Sequence, residues 1–245
     1  MKPVEITYGL RAALAVFERR RGDISAVTFG RDLPGDVAEL LRWAGSQRIP
    51  CREAPEAELA RVAQSSHHEG LCVAARPRRW ASPTELSDLL GRTRGAAVAL
   101  DRVRNPYNVG AVLRSAAFFG IEAALLGAPA PHPALAPDAV RVAEGGAEHL
   151  LLSRTTDLAD TLGRLRARGV RVVGADGAAD ASALGFAFAR PTVLVVGHER
   201  EGMSARVRAQ CDAVVAIRGG GAVESLNVAV AAGVLIAEMV RQRRA

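Results

Sequence analysis

Three short segments place polar side chains and glycines directly after apolar runs, where loop chemistry rather than core packing decides the sequence. Asn108 to Arg114 reads Asn-Val-Gly-Ala-Val-Leu-Arg, Gly197 to Ser204 reads Gly-His-Glu-Arg-Glu-Gly-Met-Ser, and Ile217 to Asn227 runs through three glycines to Glu-Ser-Leu-Asn. In the first, Asn108 is expected to cap a helix, with Arg114 in its second turn. In the second, Gly197 and Gly202 permit tight turns that bring backbone amides and carbonyls close to a ligand, with Glu199 beside them. In the third, Ser225 and Asn227 crowd the first turn of a helix with more polar groups than capping needs. Taken singly, each is equally an ordinary strand-to-helix turn with solvated charges. None reads G-x-G-x-x-G or G-x-x-x-x-G-K-[ST], so neither the dinucleotide fingerprint nor a P-loop is present.

The elements that must position these residues alternate between strand and helix. The spacing of Leu10, Leu14 and Phe17 predicts a helix from Tyr8 to Arg20 that opens the chain. Strands over 24–29, 49–51 and 71–75 and helices over 36–46 and 56–63 complete a small α/β unit. Two prolines and three arginines between Arg76 and Pro83 then interrupt any periodicity. The expected division is therefore 1–76, a linker over 77–94, and 95–245. The second part alternates buried strands (96–100, 123–126, 150–152, 170–174, 192–196, 213–217) with helices (109–119, 158–168, 205–210, 226–241), the last with an expected apolar face of Val230, Val234 and Ala237. That pattern predicts a mostly parallel sheet covered on both faces, with ligands at the carboxyl ends of its strands.

An apolar share of 49% over 245 residues supplies enough core for one large domain or two smaller ones. The formal charge of +6, carried by arginine apart from Lys2, suits a polyanionic partner. Cys51, Cys72 and Cys211 are widely spaced and odd in number, which argues against a disulfide framework and a zinc finger and fits a reducing cytoplasm. His67 and His68 near Cys72 lack further spaced ligands, so no metal is assigned. No apolar run is long enough to span a bilayer, and no membrane is expected.

Together, Asn108–Arg114, Gly197–Gly202 and Glu224-Ser-Leu-Asn-Val-Ala-Val-Ala-Ala-Gly233, in this order, resemble the three motifs of the SpoU (TrmH) branch of SPOUT methyltransferases. Arg141–His149 resembles a further family segment, and the likeness extends over about 95–243. Residues 5–76, with Tyr8-Gly9-Leu10 and His68-Glu69-Gly70, resemble the ribosomal-protein-like substrate-binding domain of many members. The resemblance implies an α/β fold whose C-terminal parallel sheet ends in a deep trefoil knot, which ordinary connection rules would exclude. It also implies a homodimer and S-adenosylmethionine as cofactor, held mainly by backbone groups at Gly197, Ile217 and Leu226.

The implied reaction is methyl transfer to a ribose 2′-oxygen of RNA, with Asn108, Arg114, Glu199, Ser225 and Asn227 as the reaction centre. Ser225 and Asn227 would position Arg114 or the ribose, and Glu199 would orient the arginine or the substrate. The family proposal makes Arg114 the base. Because guanidinium resists deprotonation, the alternative is that Arg114 stabilises the developing alkoxide or a phosphate. The chain departs from the family at Ile217-Arg218-Gly219, where Ile-Pro-Met is usual, and at Ala143, where a serine is common. The expected target is ribosomal RNA, with transfer RNA or a site conferring antibiotic resistance as alternatives. A catalytically idle RNA-binding or assembly factor is the rival from another class.

Overall fold

A computed structural model describes residues 3–31, 33–127 and 135–242. The chain opens on a strand, β1 (Glu5–Tyr8), and not on the expected helix. Gly9, at φ +92°, then turns it into α1 (Leu10–Arg20). Helical spacing concealed this strand because Tyr8 ends it only two residues before Leu10. The strand β2 (Ile24–Phe29), α2 (Gly35–Ser46), β3 (Cys51–Glu53), α3 (Glu56–Ala63) and β4 (Leu71–Ala75) follow. Together they give a four-stranded sheet of order β1-β4-β2-β3, antiparallel except for β2 with β3.

The stretch expected as a linker is ordered. A helix, α4 (Pro83–Thr93), begins there behind a capping box in which Ser82 and Glu85 satisfy each other's free backbone amides. Its buried Leu86 and Leu90 join the core of the second sheet. Just before it, Ala81 N–H donates to Leu152 O (2.8 Å) and Arg154 stacks on Trp80.

The second sheet has seven strands in the order β7-β6-β5-β10-β8-β11-β9, all parallel. They are β5 (Ala96–Leu100), β6 (Ala123–Gly127), β7 (Leu151–Thr155), β8 (Arg171–Ala175), β9 (Ala181–Ser182), β10 (Thr192–Val196) and β11 (Ala213–Ala216). Strand alternation divides their side chains between two cores. Val98, Leu100, Leu194 and Val196 face one side, and Ala97, Ala99, Val193 and Val195 the other. Both faces are covered, which explains why these strands read as unbroken apolar runs. The first face is covered by α5 (Pro106–Phe118), α6 (Pro137–Val142), α7 (Gly146–His149) and α10 (Val228–Arg241), and the second by α4, α8 (Leu158–Ala167) and α9 (Ala205–Arg208).

One expectation about α10 is corrected. Its buried side is Val228, Ala232, Leu235, Ile236, Met239 and Val240, whereas Val230 and Val234 are 52% and 38% exposed. The helix is apolar nearly all round, so periodicity alone does not choose its inner face. Among the described residues no helix is long and apolar enough to cross a membrane.

The halves meet at a seam where α1 packs on α7 and β1 on α6. Gly145, at φ +90°, lets the turn between α6 and α7 approach α1, since a Cβ there would sit 2.9 Å from that of Ala15. A buried ionic cluster crosses the seam. Arg78 Nη2 lies 2.5 Å from Glu5 Oε1 and 3.1 Å from Glu148 Oε1, and Arg20 Nε lies 2.9 Å from Glu148 Oε2.

Candidate active site

The parallel strands place the three polar segments at one edge of the sheet: 101–105 follows β5, 197–204 follows β10 and 217–227 follows β11. The first loop leads into α5 one turn earlier than the sequence suggests. Asn105, not Asn108, is the cap, accepting from Tyr107 N–H at 2.9 Å, and Pro106 takes the first helical position. Asn108 is thereby freed for tertiary contacts, and Arg114 falls in the third turn.

Asn108 joins the three segments. Its Nδ2 donates to Glu199 Oε1 at 2.6 Å, and its Oδ1 accepts from Asn227 Nδ2 at 3.0 Å. Asn227 caps α10 with the same side chain, its Oδ1 accepting from Ala229 N–H at 2.8 Å. Every polar group of this chain of amides thus has a defined partner, which fixes the three loops relative to one another.

Arg114 and Ser225 stand apart from that network. Arg114 lies six positions beyond Asn108 along the helix, a rise of about 9 Å and a turn onto a different face. Its Nη2 instead lies 2.9 Å from Glu144 Oε2. Ser225 is exposed and makes no side-chain hydrogen bond among the described residues. Glu199, expected to orient the arginine or the substrate, holds Asn108; Glu144 holds the arginine. Glu144 occupies the left-handed region at φ +44°, a conformation a glutamate adopts only where its surroundings impose it. The only signal for it in the sequence is its place inside Arg141–His149.

A second group missed by the sequence reading, Asp101 and Arg102, clamps the loop after β10. Arg102 donates to Glu201 Oε2 (2.5 Å) and Gly202 O (3.1 Å), and Asp101 Oδ2 accepts from Ser204 N–H (2.6 Å). His198 and Gly202 exchange both backbone hydrogen bonds, and His198 Nδ1 accepts from the amides of Arg200 and Glu201. This pinches the loop so tightly that a Cβ on Gly197 would overlap the backbone of Gly202 and Met203.

The geometry fits a cofactor gripped by main-chain groups. Among the described residues, the backbone of 218–226 makes no hydrogen bond, leaving its amides and carbonyls available beside the pinched loop at Gly197. Arg218 anchors the base of this segment through Ala179 O (2.6 Å) and Asp180 O (2.7 Å). Ile217 packs against the core, whereas Leu226 is half exposed. Gly197→Ala is expected to weaken S-adenosylmethionine binding at least tenfold, since the loop must open to admit the methyl group. Calorimetry with the cofactor checks this, and unaltered affinity would remove Gly197 from the site.

Comparison with known proteins matches both halves of the chain. The SpoU rRNA Methylase family matches residues 95–237, and the RNA 2′-O ribose methyltransferase substrate binding family matches residues 6–81. An uncharacterised tRNA/rRNA methyltransferase of Mycolicibacterium vanbaalenii is 37% identical, the match covering 89% of this chain and 70% of that one. A similar protein of Mycobacterium avium is 36% identical over 89% of this chain and 71% of its own. Among solved structures, the SpoU methyltransferase AviRb of Streptomyces viridochromogenes in complex with AdoMet superposes with a TM-score of 0.81 at 25% identity, covering 98% of this chain and 91% of that one. An rRNA methyltransferase of Sinorhizobium meliloti shares the fold, with a TM-score of 0.81 at 22% identity over 98% and 88% of the two chains. With both halves matched in order and the three polar segments meeting at one sheet edge, the chain belongs to the SpoU family of RNA methyltransferases.

Proposed function

We propose that this protein transfers a methyl group from S-adenosylmethionine to a ribose 2′-hydroxyl of ribosomal RNA. The observation that carries the reading is the hydrogen-bonded chain Glu199–Asn108–Asn227, which draws one residue from each of three distant segments to the carboxyl edge of the sheet. A catalytically idle scaffold has no need of that convergence. When bound, the cofactor supplies an electrophilic methyl on its sulfonium. Gly197, Ile217 and Leu226 hold it through main-chain groups, and Asn108 and Glu199 keep the two cofactor loops in register. Ser225 and Asn227 donate to or accept from the ribose, so that its hydroxyl lies in line with the methyl.

Arg114 acts by charge. Its guanidinium faces the Glu144 carboxylate and solvent, an arrangement that supports a cation stabilising the developing alkoxide, with the proton released to water, over a neutral base.

The divisions 1–76, 77–94 and 95–245 are read as RNA-binding domain, connecting segment and methyltransferase domain. A trefoil knot is supported by the strand order, since β10 inserts between β5 and β8, and by the return of α10 onto α5. A homodimer is supported by apolar side chains left uncovered on those two helices: Phe118 is 82% exposed, alongside Val230 and Val234. The three unpaired cysteines fit a cytoplasmic setting.

Ribosomal RNA is favoured by the substrate-binding half packed against the catalytic one. Transfer RNA is the second reading, supported by the relatives described as tRNA/rRNA methyltransferases. Mapping ribose methylation in rRNA and tRNA from cells with and without the gene tests both. The expected result is one or a few 2′-O-methyl marks lost from rRNA. Loss confined to tRNA would transfer the assignment, and no change in either would reject it.

A further inference from the structure

A cleft of about 1110 Å³ opens at the seam between the halves, away from the cofactor loops, lined by residues of the first domain and by Arg141 of α6. Its volume slightly exceeds the roughly 300–1,000 Å³ of small-molecule clefts, so it admits a nucleotide and not only a small ion. Among the described residues, two hydrogen-bond donors in its wall lack a properly directed partner. His68 is 1% exposed. Its Nδ1 accepts from Gly70 N–H at 3.1 Å, which leaves the proton of the neutral ring on Nε2. That Nε2 makes no properly directed hydrogen bond; Glu56 Oε1 lies 3.1 Å away but off its line, on a side chain that is 79% exposed and free to swing out.

Arg141 is the second donor. Among the described residues its guanidinium makes no hydrogen bond or ion pair, and its Nε is buried. Of the other charged groups of the cleft, Arg31 is paired with Glu53 at 2.9 Å and Glu69 accepts from Leu10 N–H at 2.9 Å, while the exposed Glu56 carboxylate must move aside for an anion to reach His68. A buried donor and a partly buried cation left without partners cost free energy unless acceptors join them, and a phosphate carries several anionic oxygens that can serve both.

We propose that this cleft is a subsite for one nucleotide of the RNA substrate, its backbone phosphate bound by Arg141 and His68 Nε2–H. The assignment rests on the RNA methyltransferase reading. It also places the bound nucleotide close in sequence to the catalytic arginine's partner, since Glu144 follows Arg141 by three residues across the end of α6.

The test uses the full-length protein with a pool of unmodified 16S rRNA, 23S rRNA and tRNA transcripts. Arg141→Gln is expected to raise the RNA dissociation constant about tenfold and to reduce the slope of log affinity against log salt by about 0.7–1, the signature of one lost phosphate contact. Cofactor affinity and the transfer rate at saturating RNA should be retained. His68→Gln should act in the same direction, and because His68 is buried its folding is checked by thermal unfolding, with Arg141→Gln as the deciding variant. Arg141→Lys should restore the salt slope.

Wild-type affinity and slope in Arg141→Gln would overturn the subsite while leaving the methyltransferase reading intact. Weaker binding with an unchanged slope would also overturn it, by making Arg141 a packing residue. If the wild-type protein binds and methylates none of the transcripts, the functional reading falls and the subsite with it.

Discussion

Arg114→Ala is expected to lower methyl transfer at saturating RNA by about 10²–10³-fold, the usual cost of removing a group that stabilises charge formed only in the transition state. S-adenosylmethionine affinity should be largely retained. The reason is positional: Arg114 lies in the third turn of α5, paired with Glu144, whereas the loops offered to the cofactor are tied together by Asn108, Glu199 and Asn227. Losing the guanidinium leaves those ties intact. Arg114→Lys keeps the charge but loses the planar fork that can face Glu144 and the ribose oxygen at once, so only partial recovery is expected. Single-turnover transfer of labelled methyl, run beside cofactor calorimetry, separates the two effects. Near-normal transfer in the alanine variant would exclude Arg114 from the reaction centre, and lost cofactor binding would make its role structural.

Much of this arrangement is legible in the sequence, for a physical reason. Strand-to-loop junctions in a parallel sheet gather at one edge, so polar residues placed just after β5, β10 and β11 had to be neighbours. The pairings within that edge were not legible. Asn108 looked like a cap because Asn, Val and Gly open a helix plausibly, but Asn105 followed by Pro106 is the stronger start. Moving the helix start by three residues changed Asn108 from a local cap to the central link of the network. Glu144 was hidden because an ion pair between the α6–α7 turn and α5 leaves no trace in periodicity. The inner face of α10 was hidden by an excess of apolar residues, and β1 by its length of four residues beside a longer helical pattern.

The segment between the two halves carries a side chain whose loss is expected to have a large effect on stability. Arg76 to Pro83 reads only as a basic, proline-containing break in periodicity, yet Arg78 is 7% exposed and its side chain is the centre of the seam. Its Nη2 contacts Glu5 and Glu148, its Nε donates to Glu5 Oε1 at 2.9 Å, and its Nη1 donates to Ala147 O at 3.3 Å. Arg78→Ala would leave two carboxylates, each with a side chain at most 9% exposed, short of their main counter-ion. Breaking a buried pair from one side costs roughly 3–5 kcal/mol because the remaining charge stays desolvated. Arg20 retains contacts with both glutamates, at 2.9 Å to Glu148 and 3.7 Å to Glu5, which places the expected loss at the lower end. For a chain of this size that corresponds to a fall in Tm of about 10 °C. Arg78→Met with Glu148→Gln should recover part of it, since removing one carboxylate together with the guanidinium leaves Arg20 to balance Glu5 alone, at 3.7 Å. Calorimetric unfolding decides the matter: an unchanged Tm in Arg78→Ala would mean that solvent reaches the seam and that the packing of α1 on α7 and of β1 on α6 is enough to join the halves.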